Sequence, residues 1–263
     1  MKLFNLKQGQ SPLLISMPHC GTYLPNYISN NLTSKAKTLP DTDWFIPQLY
    51  NFIYTEDISV ISSNFSRYCV DLNRPPSGKS LYPGQPTTSI CPEKLFNGEE
   101  VYINNQGLTK NEIDNRRKFY WEPYHNQIKK EINRLKDRNG YCIVYDAHSI
   151  ASRVPNLFSG QLPDLNFGTN KGKSCAATCA EKIQNILNES AYSFAINGRF
   201  IGGYITRQYG NPKKNIHAMQ MEISQKNYME EAKNYCFRED KAINLRPLLS
   251  NIIETLLCWS PSN

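Results

Sequence analysis

The sequence has no long apolar run, and none of its apolar stretches approaches the roughly 20 residues that a membrane-spanning helix needs. Its mean hydropathy is −0.55. The start, MKLFNLKQGQSPLLISMPHC, is not typical of a signal peptide, because its apolar run is short, comes late and ends in Pro-His. We therefore expect a cytoplasmic protein that does not act at a membrane.

The eight cysteines contain no CxxC pair. Cys175 and Cys179 lie four positions apart on a predicted helix, a spacing as common in packing as in metal binding. We expect most of the cysteines to be reduced core residues.

The sequence also has no basic run, although its net charge is +7. Its lysines and arginines are scattered among acidic residues, as in KKEINRLKDR, a pattern typical of a solvated helix face rather than of a nucleic-acid-binding surface. The mild positive charge weakly favours a small anionic substrate.

No internal repeat or low-complexity segment is present, and 263 residues with 40% hydrophobic content can form one sizeable core or two small ones. Apolar runs predict strands at residues 13–17, 58–62, 68–71, 141–145, 193–196 and 218–223. Periodicity predicts helices at residues 43–54, 111–138, 174–190 and 246–259, with Ser174 as an N-cap. Alternating strands and helices indicate a single α/β domain over residues 1–263, a three-layer sandwich around a mixed, largely parallel sheet.

Residues 74–107 are rich in proline and glycine and lie between apolar strands. Long loops inside compact domains are often lids or binding loops. We expect this region to be an active-site loop rather than a domain boundary.

Two of the four histidines follow apolar runs: His19 ends LLISMPHC, and His148 comes near the end of YCIVYDAHS. Ligands bind at the carboxyl ends of strands in open α/β sheets. Two such imidazoles and one carboxylate would form a three-ligand metal site of the kind that zinc hydrolases use. His125 and His217 have no assigned role, and we favour structural ones.

The third ligand has three candidates, Asp41 and Asp43 in DTDW and Asp146 beside His148. An aspartate before a helix is commonly an N-cap. Asp146 could instead accept a hydrogen bond from a ligand histidine. The residues alone leave the choice open.

Glu222 lies in the apolar run AMQMEIS. A buried carboxylate needs a partner or a function, so Glu222 is either a general base or part of a buried ion pair. In RYCVDLNRPP, Arg67 and Arg74 could clamp a carboxylate or stabilise an oxyanion, or one could pair with Asp71. NGRFIGGYITRQYG adds Arg199 and Arg207 around a glycine pair, a weaker signal.

The motifs SMPHCGTYLP, DTDW, SRYCVDLNRPPSGKSLYPGQ, YDAHSI, LPDLNFGTN, NGRFIGGYITRQYG and HAMQMEIS, in this order, resemble those of the N-formylglutamate amidohydrolases, or deformylases. The resemblance runs from about residue 12 to about residue 228. It implies hydrolysis of N-formyl-L-glutamate to formate and L-glutamate, in histidine degradation. It also implies a phosphorylase/hydrolase-like fold similar to the zinc carboxypeptidase and aspartoacylase group.

The resemblance assigns roles to individual residues. Asn73 and Arg74 of DLNR would bind substrate, Arg67 would polarise the scissile carbonyl, and Glu222 would be the base. His19 and His148 match the two ligand histidines. That group has a ligand glutamate three residues after the first histidine, where this chain has Thr22.

We therefore expect His19, Asp43 and His148 to hold a divalent metal, with zinc favoured and Asp41 as the next candidate after Asp43. Arg74 with Asn73, and Arg207, would hold the two substrate carboxylates. The alternatives are a metal amidohydrolase or carboxypeptidase for another N-acyl amino acid or a short peptide, a cysteine hydrolase using Cys20 with His148, and a non-catalytic binder. The oligomeric state is open.

Overall fold

A computed structural model describes residues 1–81, 88–105, 107–231 and 234–261. A seven-stranded sheet in the order β1-β3-β2-β4-β7-β5-β6 forms its centre. The strands are β1 (Phe4–Lys7), β2 (Leu13–Met17), β3 (Ser59–Ser63), β4 (Cys142–Ile150), β5 (Leu165–Gly168), β6 (Phe194–Ile196) and β7 (Ile216–Ser224). Strand β1 pairs with β3, and β5 with β7, in antiparallel orientation; the other pairs are parallel. A separate antiparallel pair is formed by β8 (Met229–Glu230) and β9 (Cys236–Phe237).

Helices connect these strands. They are α1 (Asn26–Ser29), α2 (Ile46–Leu49), α3 (Lys110–Arg116), α4 (Glu122–Asn139), α5 (Ala177–Asn188), α6 (Tyr204–Tyr209) and α7 (Glu239–Cys258). A π-helical segment, Arg117–Trp121, joins α3 to α4. Among the described residues, no helix is both long enough and apolar enough to cross a membrane.

The sheet is covered on both faces. Ile143, Tyr145 and Ala147 of β4 pack in one core with α2, α5 and α7. Cys142 and Val144, which alternate with them, pack in a second core with α4 and α6. This arrangement confirms the predicted α/β class with a mixed, mostly parallel sheet.

One predicted strand is wrong, because residues 68 and 69 lie in a turn and residues 70 and 71 have no regular structure. The backbone N–H of Tyr68 donates to Ser66 Oγ (3.2 Å), and that of Asn73 donates to Asp71 Oδ1 (2.9 Å). Such short-range side-chain acceptors satisfy the backbone locally and compete with a sheet ladder.

Two helix predictions also need correction. Residues 43–54 form only α2 and a 3₁₀ turn, Asn51–Tyr54, because Phe45 has a left-handed φ of 59° just before α2. Ser174 is not an N-cap: its hydroxyl donates to Ala218 O (2.8 Å), and α5 begins at Ala177.

The predicted helix at residues 111–138 is close to the observed one. Thr109 is the N-cap of α3, and its Oγ1 accepts from the N–H of Glu112 (3.2 Å). Gly140, which has a φ of 81°, is the C-cap of α4. Pro123 stands in the first turn of α4, directly after the π-helical segment.

Candidate active site

The site forms where two neighbouring strands change from apolar to polar on one face. Asp146 and His148 on β4 lie on the same face as Val144, since side chains alternate along a strand. The parallel register places His148 opposite Glu222 on β7. His148 therefore lies inside its strand, not just past it as the sequence suggested.

His19 comes from the next strand over, two residues after β2 ends. Its imidazole is buried, and its ring centroid lies 5.0 Å from that of His148. The two predicted histidines are thus brought together at the carboxyl ends of adjacent parallel strands.

Asp43 completes a group of three possible ligands. His148 Nδ1 lies 2.9 Å from Asp43 Oδ2, and His19 Nδ1 lies 3.9 Å from the same oxygen. The three potential ligand atoms lie within 4.8 Å of one another, and all three residues are buried. A divalent metal is commonly bound by such a set of two imidazoles and one carboxylate.

The remaining nitrogen of each ring contacts another carboxylate. His19 Nε2 lies 2.8 Å from Asp71 Oδ1, and His148 Nε2 lies 2.7 Å from Asp146 Oδ2. When Nε2 donates to a carboxylate, Nδ1 is left with a lone pair for a metal, and the ring is held in place. The residues therefore fit a divalent metal.

The outer carboxylates and the histidines shift one another's pKa values. Burial alone would raise the pKa of Asp71, but Arg67 and His19 hold it well below its usual range. Burial and the charge of Arg67 lower the pKa of His19. Burial would lower the pKa of His148, yet Asp146 and Asp43 raise it well above its ordinary value.

The other two candidates for the third ligand have different partners. Asp41 Oδ2 accepts from Tyr68 Oη (2.8 Å) and from the backbone N–H of Phe96 (3.0 Å). Asp146 contacts Nε2 of His148, on the far side of the ring from Asp43. The geometry therefore favours Asp43, whose role as a ligand stays a prediction.

Glu222 lines the same cleft as the three possible ligands. Its side chain is buried, and Gln220 Nε2 donates to its Oε2 (3.4 Å). Burial raises the pKa of Glu222 to about 8, although His148 acts against the rise. A carboxyl group whose pKa lies near neutrality can both accept and return a proton.

The cleft has a cavity volume of about 70 Å³. Beyond the possible ligands and Glu222, it is lined by cationic and apolar side chains. These include Arg67, Arg74, Arg199, Phe96, Ile150, Leu157 and Phe200. A small anionic molecule with an aliphatic part matches such a lining.

Arg67 is nearly enclosed. Its Nη2 donates to Asp71 Oδ2 (2.7 Å), and its Nη1 donates to Asp41 O (3.0 Å). The ion pair with Asp71 that the sequence suggested is thus present. Arg67 lines the cleft, and within the described part of the chain its buried Nε has no hydrogen-bond partner.

Asn73 also lines the cleft, but its amide is engaged with the protein. Its Oδ1 accepts from the N–H of Ile205 (2.8 Å), and its Nδ2 donates to Asp146 Oδ2 (3.1 Å). A Cβ at Gly203 would lie 2.3 Å from Asn73 Nδ2, so this close approach requires glycine. Asn73 therefore braces Asp146, and its contact with substrate stays a prediction.

The remaining arginines differ in position. Arg74 lines the cleft while its Nε donates to Thr88 O (3.0 Å). Arg207 donates from Nε to Gly202 O (2.7 Å) and is not among the lining residues, so its predicted substrate contact is untested. Arg199, which the sequence pattern indicated only weakly, does line the cleft.

The predicted loop at residues 74–107 is only partly described. Residues 82–87 and 106 lie outside the described residues. Of the described part, Arg74, Thr88 and Phe96 line the cleft.

The two unassigned histidines lie elsewhere. His125 Nδ1 contacts Tyr209 Oη (2.7 Å), its Nε2 contacts Leu72 O (2.8 Å), and burial lowers its pKa to about 3. His217 Nδ1 accepts from the N–H of Ala176 (3.2 Å). Neither residue lines the cleft.

Cys20 follows His19 but is poorly suited to nucleophilic attack. Its thiol donates to Met17 O (3.3 Å). Burial and the charge of Asp43 raise its pKa to about 12. Because the thiolate is the nucleophile, these surroundings disfavour a cysteine hydrolase.

The sequence profile of the N-formylglutamate amidohydrolase family matches residues 11–229. The chain belongs to this family. An N-formylglutamate deformylase of Pseudomonas putida is 44% identical to this family member over 261 residues, covering 98% of this chain and 97% of that protein. Another, from Pseudomonas aeruginosa, is 42% identical over 259 residues, with the same two coverages. Membership of the amidohydrolase family makes the protein a hydrolase that acts on an amide bond.

A solved structure has the same fold. The crystal structure of N-formylglutamate amidohydrolase from Ralstonia eutropha JMP134 superposes with a TM-score of 0.79 at 22% identity, covering 98% of this chain and 96% of that one. The mixed sheet and its covering helices are thus common to both proteins.

Proposed function

We propose that this amidohydrolase hydrolyses N-formyl-L-glutamate to formate and L-glutamate, using a divalent metal held by His19, Asp43 and His148. The carrying observation is that these three residues converge in a cleft that Glu222 also lines. The names of the two Pseudomonas relatives support N-formyl-L-glutamate as the substrate. We propose zinc as the metal, because a set of two histidines and one carboxylate is typical of catalytic zinc sites.

A metal at this position supplies positive charge, which polarises a carbonyl oxygen and makes water more acidic. Glu222 accepts a proton from water as the water oxygen attacks the formyl carbon. Arg67, which lines the cleft, donates to the oxygen on which negative charge develops. Glu222 then gives the proton to the amine nitrogen as the C–N bond breaks, releasing formate and glutamate.

The substrate carries two carboxylates, and several arginines are available to hold them. The family resemblance implies that Arg74 and Asn73 bind substrate, and both line the cleft that contains the possible metal ligands. Arg207 was predicted for the second carboxylate. We propose Arg199 as a second candidate for binding this carboxylate. Arg199 lines the cleft together with the apolar residues Leu157 and Phe200, which suit the methylene groups of glutamate.

We further propose a role in histidine degradation and a cytoplasmic location, as one domain over residues 1–263. All eight cysteines are free thiols, and six of them are buried or half-buried. Free thiols in this number are typical of a reducing compartment.

The deciding experiment measures formate release from N-formyl-L-glutamate by the purified protein, before and after chelation and after adding back single metals. Loss on chelation and recovery with zinc would support the whole proposal. Release that is indifferent to chelation would refute the metal mechanism. Hydrolysis of N-acetyl-L-glutamate or a short peptide, without formate release, would instead identify another acyl specificity.

A further inference from the structure

A buried hydrogen-bond network lies behind the possible metal ligands and does not enter the mechanism above. It consists of Gln225 and Tyr228, which follow β7, and Ser149, which follows His148 in β4. All three residues are at most 2% exposed. The network reaches the backbone on both sides of Asp43.

Gln225 holds the residue before Asp43. Its Nε2 donates to Thr42 O (2.9 Å) and, with its second hydrogen, to Ser149 Oγ (3.3 Å). One amide group thus joins the Asp43 loop to the strand that carries His148.

Tyr228 holds the residue after Asp43. Its hydroxyl lies 2.8 Å from Trp44 O and 2.7 Å from Ser149 Oγ. Since a carbonyl oxygen only accepts, Tyr228 donates to Trp44 O, and Ser149 donates to Tyr228. The bonds then run in one consistent direction, from Gln225 through Ser149 and Tyr228 to Trp44.

The loop needs such support because it has little regular structure of its own. Asp43 lies outside any helix or strand, between the turn at Thr42 and Phe45, which has a left-handed φ of 59°. The N–H of Asp43 donates to His19 O (3.0 Å), which fixes one point of the loop. The carbonyls of Thr42 and Trp44 are fixed by Gln225 and Tyr228.

We propose that Tyr228 and Gln225 are positioning residues, which hold Asp43 at the distance from the two histidines that a divalent metal requires. This inference rests on the metal site proposed above. Ser149 couples the two, so that one hydrogen-bond network joins the Asp43 loop, the His148 strand and the segment after Glu222.

The test is Tyr228→Phe, which removes the donor to Trp44 O while keeping the ring. Tyr50→Phe is the matched control, because Tyr50 is also fully buried and its hydroxyl bonds Tyr145 Oη (2.9 Å), away from the cleft. Each variant is purified as the full chain, and its zinc dissociation constant is measured by competition with a chromophoric chelator. Melting temperature and the kcat and KM for N-formyl-L-glutamate are measured in parallel.

We expect Tyr228→Phe to bind zinc roughly 10- to 100-fold more weakly, as is common when an outer partner of a metal ligand is lost. Tyr50→Phe should lose similar thermal stability and keep wild-type zinc affinity. Gln225→Met, which also lacks the donor, should weaken zinc binding like Tyr228→Phe and serves if the tyrosine variant does not fold.

Wild-type zinc affinity in both Tyr228→Phe and Gln225→Met would overturn the inference while leaving the proposed function standing. Failure of the wild-type protein to bind zinc or another divalent ion would instead overturn the metal site itself, and the inference with it.

Discussion

Replacing Glu222 with Gln tests the chemical step most directly. The two side chains have nearly the same shape, but the amide cannot carry a proton between water and the leaving amine. General acid–base catalysis contributes typically about 10²- to 10⁴-fold, so we expect kcat to fall by roughly that factor. KM and zinc affinity should change little, because the base acts in the transition state and is not a metal ligand.

The same substitution should stabilise the metal-free protein at neutral pH. Burial raises the folded-state pKa of Glu222 from 4.5 to about 8, so the folded protein holds this proton more tightly than the unfolded chain does. Stability is therefore lost as the pH rises from about 4.5 towards about 8. Glutamine never ionises and removes this loss, which is about 3 kcal/mol at pH 7, because that pH lies roughly 2.5 units above the unfolded-state pKa of 4.5 and one pKa unit corresponds to about 1.4 kcal/mol.

Formate release under saturating substrate gives kcat, and urea unfolding of the chelated protein at pH 5 and pH 8 gives the stability difference. Glu131→Gln is a matched control, because Glu131 is buried outside the cleft and bonds Ser59 Oγ (2.6 Å). Hydrogen bonds to Arg134 and Ser59 outweigh burial and lower the pKa of Glu131, so the control should lose stability and keep its turnover. Wild-type kcat in Glu222→Gln would refute the assignment of the base.

Five further substitutions separate the remaining assignments. Asp43→Asn should abolish high-affinity zinc binding, measured by chelator competition. Asp41→Asn should keep zinc binding and lower the unfolding free energy by about 1–3 kcal/mol, because a buried acceptor is weakened. The reverse pattern would make Asp41 the ligand. Cys20→Ser should keep turnover. Iodoacetamide at pH 7 should not inactivate the wild type, because burial and Asp43 raise the pKa of the Cys20 thiol to about 12. Rapid inactivation from which bound substrate protects the enzyme would contradict this expectation. Arg199→Met should raise KM by roughly 10- to 100-fold, the loss expected when a hydrogen bond to a charged group is removed. A larger rise in KM from Arg207→Met than from Arg199→Met would favour Arg207 as the residue that binds the second carboxylate.

The sequence predicted the residues that the strands deliver better than those that loops deliver. His19 and His148 stood at the ends of apolar runs, so their meeting followed from a parallel sheet. Asp43 could not be separated from Asp41 in this way. Both aspartates lie in one irregular loop, and the turns of that loop decide where each side chain points. The position of the loop depends on contacts from Gln225 and Tyr228, which lie more than 180 residues away in sequence.

The errors in the predicted fold have related causes. Residues 68–71 have strand-like composition, but Ser66 and Asp71 satisfy the nearby backbone and produce turns. Arg199 lines the cleft and Arg207 is not among the lining residues, a difference in position that composition does not encode. The substrate contact of Arg207 stays a prediction.

The register between β4 and β7 determines how the site can open. His148 and Glu222 are paired across two neighbouring interior strands of the sheet, so their amides should exchange with solvent deuterium only through global unfolding. Asp43 lies in a loop fixed by a few side-chain hydrogen bonds, and such a loop can open locally. Entry and loss of a metal would then follow the motion of one carboxylate, while the His148 imidazole and the base stay in place.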